Sequence, residues 1–166
     1  MAEIVQLLAS PVHRYAGRPG PLGDVADETT DRLEIRAGLG VVGDRYFNRP
    51  AHRDASVTVL AAESLAAWPG AGLPETRRNV LLRGVDVDAA AGRVLSLDSG
   101  DGPVLLLVRR PARPCAWLDL TVEPGAWKGL RGRAGMRCEP LTDGLLRVGP
   151  VAVEWLDALT VRPAGS

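Results

Sequence analysis

Apolar positions in this chain fall in short clusters separated by polar stretches bearing glycine and proline. The clusters at 4–8, 33–36, 56–60, 79–83, 94–97, 104–108, 136–138, 145–148 and 151–155 are rich in Val and Leu and bounded by turn residues, which predicts strands. Two hairpins are signalled. SLDSGDGPVLLLV has a Gly/Asp/Ser tip between apolar runs, and LTDGLLRVG carries an Asp-Gly pair. Helical signals are fewer. AAESLAAW (61–68) uses good helix formers and stops at Pro69-Gly70. A second short helix is expected to start at Pro114 and carry CAWLDL, because proline suits the first helical turn, and GAWKGL holds one more turn. Many short strands with small intervening helices predict a mainly β domain, barrel-like and closed or nearly closed so that its edges are hidden.

Composition narrows the picture. The 166 residues fit one domain with a sizeable core, and 46% hydrophobic with 24% charged residues is the balance of a soluble globular protein. Glycine and proline are scattered rather than gathered into a linker, and no repeat or low-complexity segment stands out beyond the small-residue tail PAGS. A formal net charge of zero gives no reason to expect nucleic acid or an anionic membrane as partner. No apolar run is long enough to span a bilayer. The start MAEIVQLLASP lacks the basic region of a signal peptide, so a reducing cytoplasm and free thiols are expected for Cys115 and Cys138. Of the 20 basic residues only Lys128 is lysine, and arginine forks suit planar or phosphate anions better than lysine does.

Candidate chemistry begins at RRPARPC, where Arg109, Arg110 and Arg113 crowd in front of Cys115. A thiol is a nucleophile or metal ligand only as thiolate, a form that neighbouring cations favour. The competing reading is a small buried hydrophobe whose arginines point to water. Cys138, in MRCEPL, lacks such a setting and reads as structural. In TRRNVLLRG, Arg77 and Asn79 would project to one face of a strand and Arg78 to the other, letting an arginine fork and a carboxamide converge on one ligand. Alternatively, they form an exposed polar strand end. GLGVVGDRYF offers Gly38, Gly40 and Gly43 for tight turns, and Asp44-Arg45 as an ion pair or an anion clamp, without a nucleotide-binding glycine pattern. His13 and His52 lack metal-site spacing, and Ser10, Ser56 and Ser64 lack a nucleophile elbow. Trp117 and Trp127 stand close enough in sequence to the cysteine to shape a pocket wall.

In order, GLGVVGDRYF, SVTVLAAESLAAW, the Arg-x-Asn of TRRNVLLRGVDVDAAAGRVLSL, PARPC, GLRGRAGM and DGLLRVG resemble the motifs of the MOSC domain, named for the C-terminal domain of molybdenum-cofactor sulfurases. The similarity runs over about residues 33–154 of a single-domain chain. It implies a mainly β, barrel-like domain that carries a pyranopterin molybdenum cofactor or passes sulfur to one; pyridoxal-phosphate binding is also associated with the family. The cysteine matching Cys115 ligates molybdenum in reductase members, and the residues matching Arg77 and Asn79 help hold the cofactor, with Arg113 or Arg45 adding positive charge. Two positions depart from the pattern. Tyr46 stands where many members have histidine, and Ala112 where a second cysteine often precedes the first, which removes any relay through a cysteine pair. The larger reductases' N-terminal extension and ferredoxin cysteines are absent, so a separate electron-transfer reductase is expected. The function expected is reduction of N-oxygenated or N-hydroxylated small molecules. The alternatives are a persulfide carrier loaded by a cysteine desulfurase and a non-catalytic cofactor-binding module.

Overall fold

The protein is described by a computed structural model covering residues 1–161; the tail PAGS lies outside the described residues. Strands form at all nine of the apolar clusters, giving β1 (Glu3–Leu8), β3 (Arg32–Arg36), β5 (Val57–Ala61), β6 (Val80–Arg83), β7 (Arg93–Asp98), β8 (Pro103–Pro111), β9 (Met136–Pro140), β10 (Gly144–Arg147) and β12 (Ala152–Asp157). Three two-residue strands complete the set: β2 (Thr29–Thr30), β4 (Gly40–Val41) and β11 (Gly149–Pro150). The domain is mainly β, as expected.

The large sheet runs β11-β1-β6-β5-β9-β8-β7-β12, with β2 also on β1, and a small sheet runs β10-β3-β4. Among the described residues β11 and β12 end the large ladder without pairing with each other, so of the closed or nearly closed forms expected, the fully closed ring is not found. The free edge at β12 is instead guarded by exposed Glu154 and Asp157, charges that discourage pairing with another chain.

The SLDSGDGPVLLLV hairpin forms between β7 and β8, with Asp98 opposite Pro103. LTDGLLRVG is not a hairpin. β10 pairs with β3 instead of β9, and Asp143 of the Asp-Gly pair accepts from the Ala37 amide at 2.8 Å, tying the two segments together. The AAESLAAW helix is also shorter than expected. β5 extends through Ala61, leaving only a 3-10 turn over Ala62–Leu65.

Strand alternation divides the core into two. On β6, Val80 and Leu82 face a cluster that includes Ile4, Val59, Leu106 and Cys138, while Leu81 faces a second with Leu8, Leu60, Leu118 and Leu130. β5 is buried along its whole length because both clusters use it. The second cluster is covered by three one-turn helices, α1 (Leu73–Thr76), α2 (Leu118–Thr121) and α3 (Ala126–Gly129). Gly135 permits the close packing beneath them. Its φ is 91°, and a Cβ there would lie 2.4 Å from the Val59 carbonyl oxygen. No helix among the described residues is long and apolar enough to cross a membrane.

Candidate functional site

A cleft of about 240 Å3 opens on the helix-covered side of the large sheet. Its floor is apolar, made by Leu60, Leu118, Leu130 and Ala134, and its walls carry Cys115 and six arginines. Those residues come from separate parts of the chain: the irregular segment after β1, the turn after β4, β5, the α1–β6 junction, the β8–α2 loop, and the stretch from α3 into β9.

Cys115 is exposed and free. It does not open a helix. β8 continues to Pro111, beyond the irregularity in its pairing between Val108 and Arg110. The loop that follows turns where the Leu118 amide donates to the Cys115 carbonyl at 3.0 Å, so α2 begins three residues after the cysteine. The two arginines nearest β8's core are used elsewhere: Arg109 pairs with Glu139, and Arg110 with Asp54 at 3.5 Å. Of the three arginines in RRPARPC, only Arg113 lines the cleft.

Arg77 and Asn79 do not share a strand face. Arg77 caps α1 with a left-handed backbone, φ 60°, and β6 starts only at Val80. The left-handed residue breaks the alternation on which that expectation rested. Arg77 lines the cleft at 6% exposure, donating to the Glu28 carboxylate at 2.8 Å and to the Ala26 carbonyl at 3.4 Å, while its Nε is buried without a partner. Asn79 lies beneath, at 1% exposure and outside the lining. Its oxygen accepts from the Thr58 amide at 2.9 Å and hydroxyl at 3.1 Å, and its nitrogen donates to the Leu8 carbonyl at 3.1 Å and Asp44 at 3.3 Å. Those bonds use the whole carboxamide.

Arg45 both pairs and lines the cleft. It donates to Asp44 at 3.3 Å and to the Arg77 carbonyl at 3.2 Å, and its guanidinium lies 4.7 Å from the centre of the Tyr46 ring. The buried Asp44 also receives the Ser10 amide at 3.0 Å, so the pair fixes the turn after β4 against β1. The Arg137 guanidinium also lies over the Tyr46 ring, 5.5 Å from its centre. His13 and His52, unconnected in sequence, both meet the Tyr46 ring edge-on, at 5.2 and 4.8 Å. Burial first, and then the Arg45 charge, pull the His13 pKa below its ordinary value, which favours the neutral ring.

Two arginines that sequence reasoning did not select complete the site. Arg78 donates to the carbonyls of Ala134 at 3.0 Å and Arg113 at 3.3 Å. Burial, reinforced by Arg137, lowers its pKa to about 10, and negative charge on Cys115 acts in the opposite direction. Arg137 sits on β9 beside Cys138 but points the other way, as strand alternation requires. Arg78, Arg113 and Arg137 form no ion pair with a carboxylate among the described residues, whereas Arg14, Arg45 and Arg77 do. Glu75, the one lining carboxylate, is spent on the Gly72 amide at 2.7 Å. The cleft therefore carries surplus positive charge around a reachable thiol. Only its place within β9's alternating pattern marks Arg137 in the sequence, and nothing local marks Arg78.

No family model and no curated protein matches the chain by sequence. Solved structures share the fold. YuaD from Bacillus subtilis aligns with a TM-score of 0.68 at 16% identity, over 93% of this chain and 94% of that one. YiiM from Geobacillus stearothermophilus aligns at 0.60 with 16% identity, over 93% and 75% of the two chains, and YiiM from Escherichia coli at 0.59 with 17%, over 93% and 70%. These neighbours are MOSC-domain proteins, and the architecture described here is of the MOSC type.

Proposed function

We propose that this MOSC-type protein holds a molybdenum cofactor in the arginine cleft, with Cys115 as the protein's ligand to the metal, and reduces N-oxygenated small molecules with electrons from a separate reductase. The observation that carries the reading is an exposed thiol sharing one cleft with three guanidiniums that form no ion pair with a carboxylate among the described residues.

Three features support the fit. Cys115 is a soft donor, suited to a sulfur-rich metal centre. Arg78, Arg113 and Arg137 offer forks to a phosphate, and the buried Nε of Arg77 still lacks an acceptor. Among the described residues no group of three or more His, Cys, Asp or Glu stands together to hold a bare metal ion, so a metal at Cys115 has to arrive with most of its ligands attached. Such a cofactor supplies the two-electron redox chemistry. The chain's own residues bind and orient. Arg78 and Arg137 balance the charge of an anionic ligand, Arg113 guards the mouth beside the thiol, and the Leu60, Leu118 and Leu130 floor keeps water from one side. The neutral ring of His13 can accept or relay a proton at the rim. Asn79 acts indirectly, by holding Asp44 and so Arg45 in place.

The test is metal and pterin content after expression in a host that makes the cofactor. Wild type should copurify with molybdenum, and Cys115→Ala should lose it by about tenfold or more, in line with loss of a metal ligand. Equal content in both would remove the reading. A persulfide carrier is the second reading, favoured by the same exposure of Cys115 and by the lack of a neighbouring cysteine to resolve a persulfide. Incubation with a cysteine desulfurase and a sulfur donor would then add one sulfur to the intact mass, on Cys115 alone.

A further inference from the structure

One wall of the cleft is a strap. Between β1 and β2 the chain runs without regular structure, and His13, Arg14, Tyr15 and Ala16 reach the cleft from it. Its tethers are few. The Trp117 indole donates to the Gly17 carbonyl at 3.2 Å, with the Tyr15 ring 5.4 Å from the Trp117 ring. At its far end, Glu28 is gripped by Arg14 at 2.5 Å and by Arg77 at 2.8 Å. Burial raises the Glu28 pKa, but hydrogen bonds from Ser10, Arg14 and Arg77 outweigh it and bring the carboxyl to about 2, so the tether is an anion at neutral pH.

Arg77 is a lining residue whose fork is held by an internal carboxylate, and one of its buried donors has no acceptor. A ligand anion entering the cleft and Glu28 are rivals for the same guanidinium. The cleft as closed by the strap, about 240 Å3, is also smaller than the roughly 300–1,000 Å3 usual for ligand sites. We infer that Glu28 is a built-in competitor that keeps the strap over residues 11–28 shut, and that an anionic, phosphate-bearing ligand opens the strap by taking Arg77 from it. The closed state lowers apparent affinity by the fraction of molecules that are open, and ligand and strap opening are coupled reciprocally. This goes beyond the proposed function and needs only that the cleft accept an anion, so molybdenum content is not its readout.

The probe is inorganic pyrophosphate, and the strap is read through Trp117, whose indole is freed when Gly17 lifts away. The Trp117 contribution is the difference between proteins with and without Trp117→Phe. In wild type, pyrophosphate is expected to raise acrylamide quenching of Trp117, whereas simple shielding by a nearby ligand would lower it. Glu28→Gln should show high quenching without ligand and bind pyrophosphate about tenfold tighter by calorimetry, within the usual span of coupling between sites. Arg14→Gln separates strap release from bulk charge: it removes a cation but leaves the Glu28–Arg77 pair in place, and so should keep quenching near the wild-type value in the absence of ligand. Pyrophosphate binding with unchanged Trp117 quenching would overturn the inference. So would a Glu28→Gln protein that binds no tighter, or no binding to either protein.

Discussion

Cys138 and Cys115 sit on opposite sides of the same sheet system and show how far surroundings decide what a thiol is for. Cys138 is fully buried in the larger apolar cluster, and burial alone pushes its pKa up to about 12. Among the described residues its sulfur's one hydrogen-bond contact is to the Met136 carbonyl, at 3.9 Å. Cys115 is exposed on a loop, facing arginines that converge from separate parts of the chain. The sealed side surrounds its thiol with aliphatic side chains; the open side leaves a thiol and positive charge unmatched. That contrast separates packing from chemistry, and it extends to the polar residues. Asn79 is saturated by four internal bonds, whereas Arg113 has no ion-pair partner among the described residues and lines the cleft.

Substitutions on the two sides should therefore part company. The largest effect expected is from Asn79→Ala, which strips partners from buried Asp44 and Thr58 and should cost about 3 kcal/mol in urea unfolding. Arg113→Ala should change stability by no more than about 0.5 kcal/mol. Near-equal losses would show that the cleft arginines are part of the scaffold and would break the contrast. A smaller split is expected between the cysteines. Cys138→Ser places a hydroxyl among Val57, Met136 and other aliphatic neighbours and should cost about 2 kcal/mol, while Cys115→Ser should leave the unfolding midpoint within error.

The sequence made the strands and much of the site legible for a simple reason: strand-forming clusters and an arginine-cysteine loop are local signals. What escaped it depended on pairings between distant segments. The Asp-Gly pair at 143–144 carries hairpin chemistry, but β10 finds its partner in β3, more than a hundred residues earlier in the chain. Arg77 was expected on a strand because the left-handed turn that ends α1 has no glycine to announce it. Arg78 and Arg137 become neighbours of Cys115 only once β9 lies beside β5 and β8. His13, Tyr46 and His52 likewise gather around one ring from separate loops. Of the arginines expected to supply the cleft's charge, Arg45, Arg77 and Arg113 line it, whereas the fold commits Arg109 and Arg110 to Glu139 and Asp54.

The most direct test is the rate at which native protein reacts with a dianionic aromatic disulfide, compared with a neutral disulfide, as salt is raised. With Cys138 sealed, the signal belongs to Cys115. Guanidiniums around the sulfur should speed the dianion selectively at low ionic strength, by about tenfold over its rate in about 1 M salt, where the screening length falls to about 3 Å. Arg113→Ala should shrink that preference. A ratio of the two rates that ignores salt, or a thiol that reacts only after unfolding, would contradict the account.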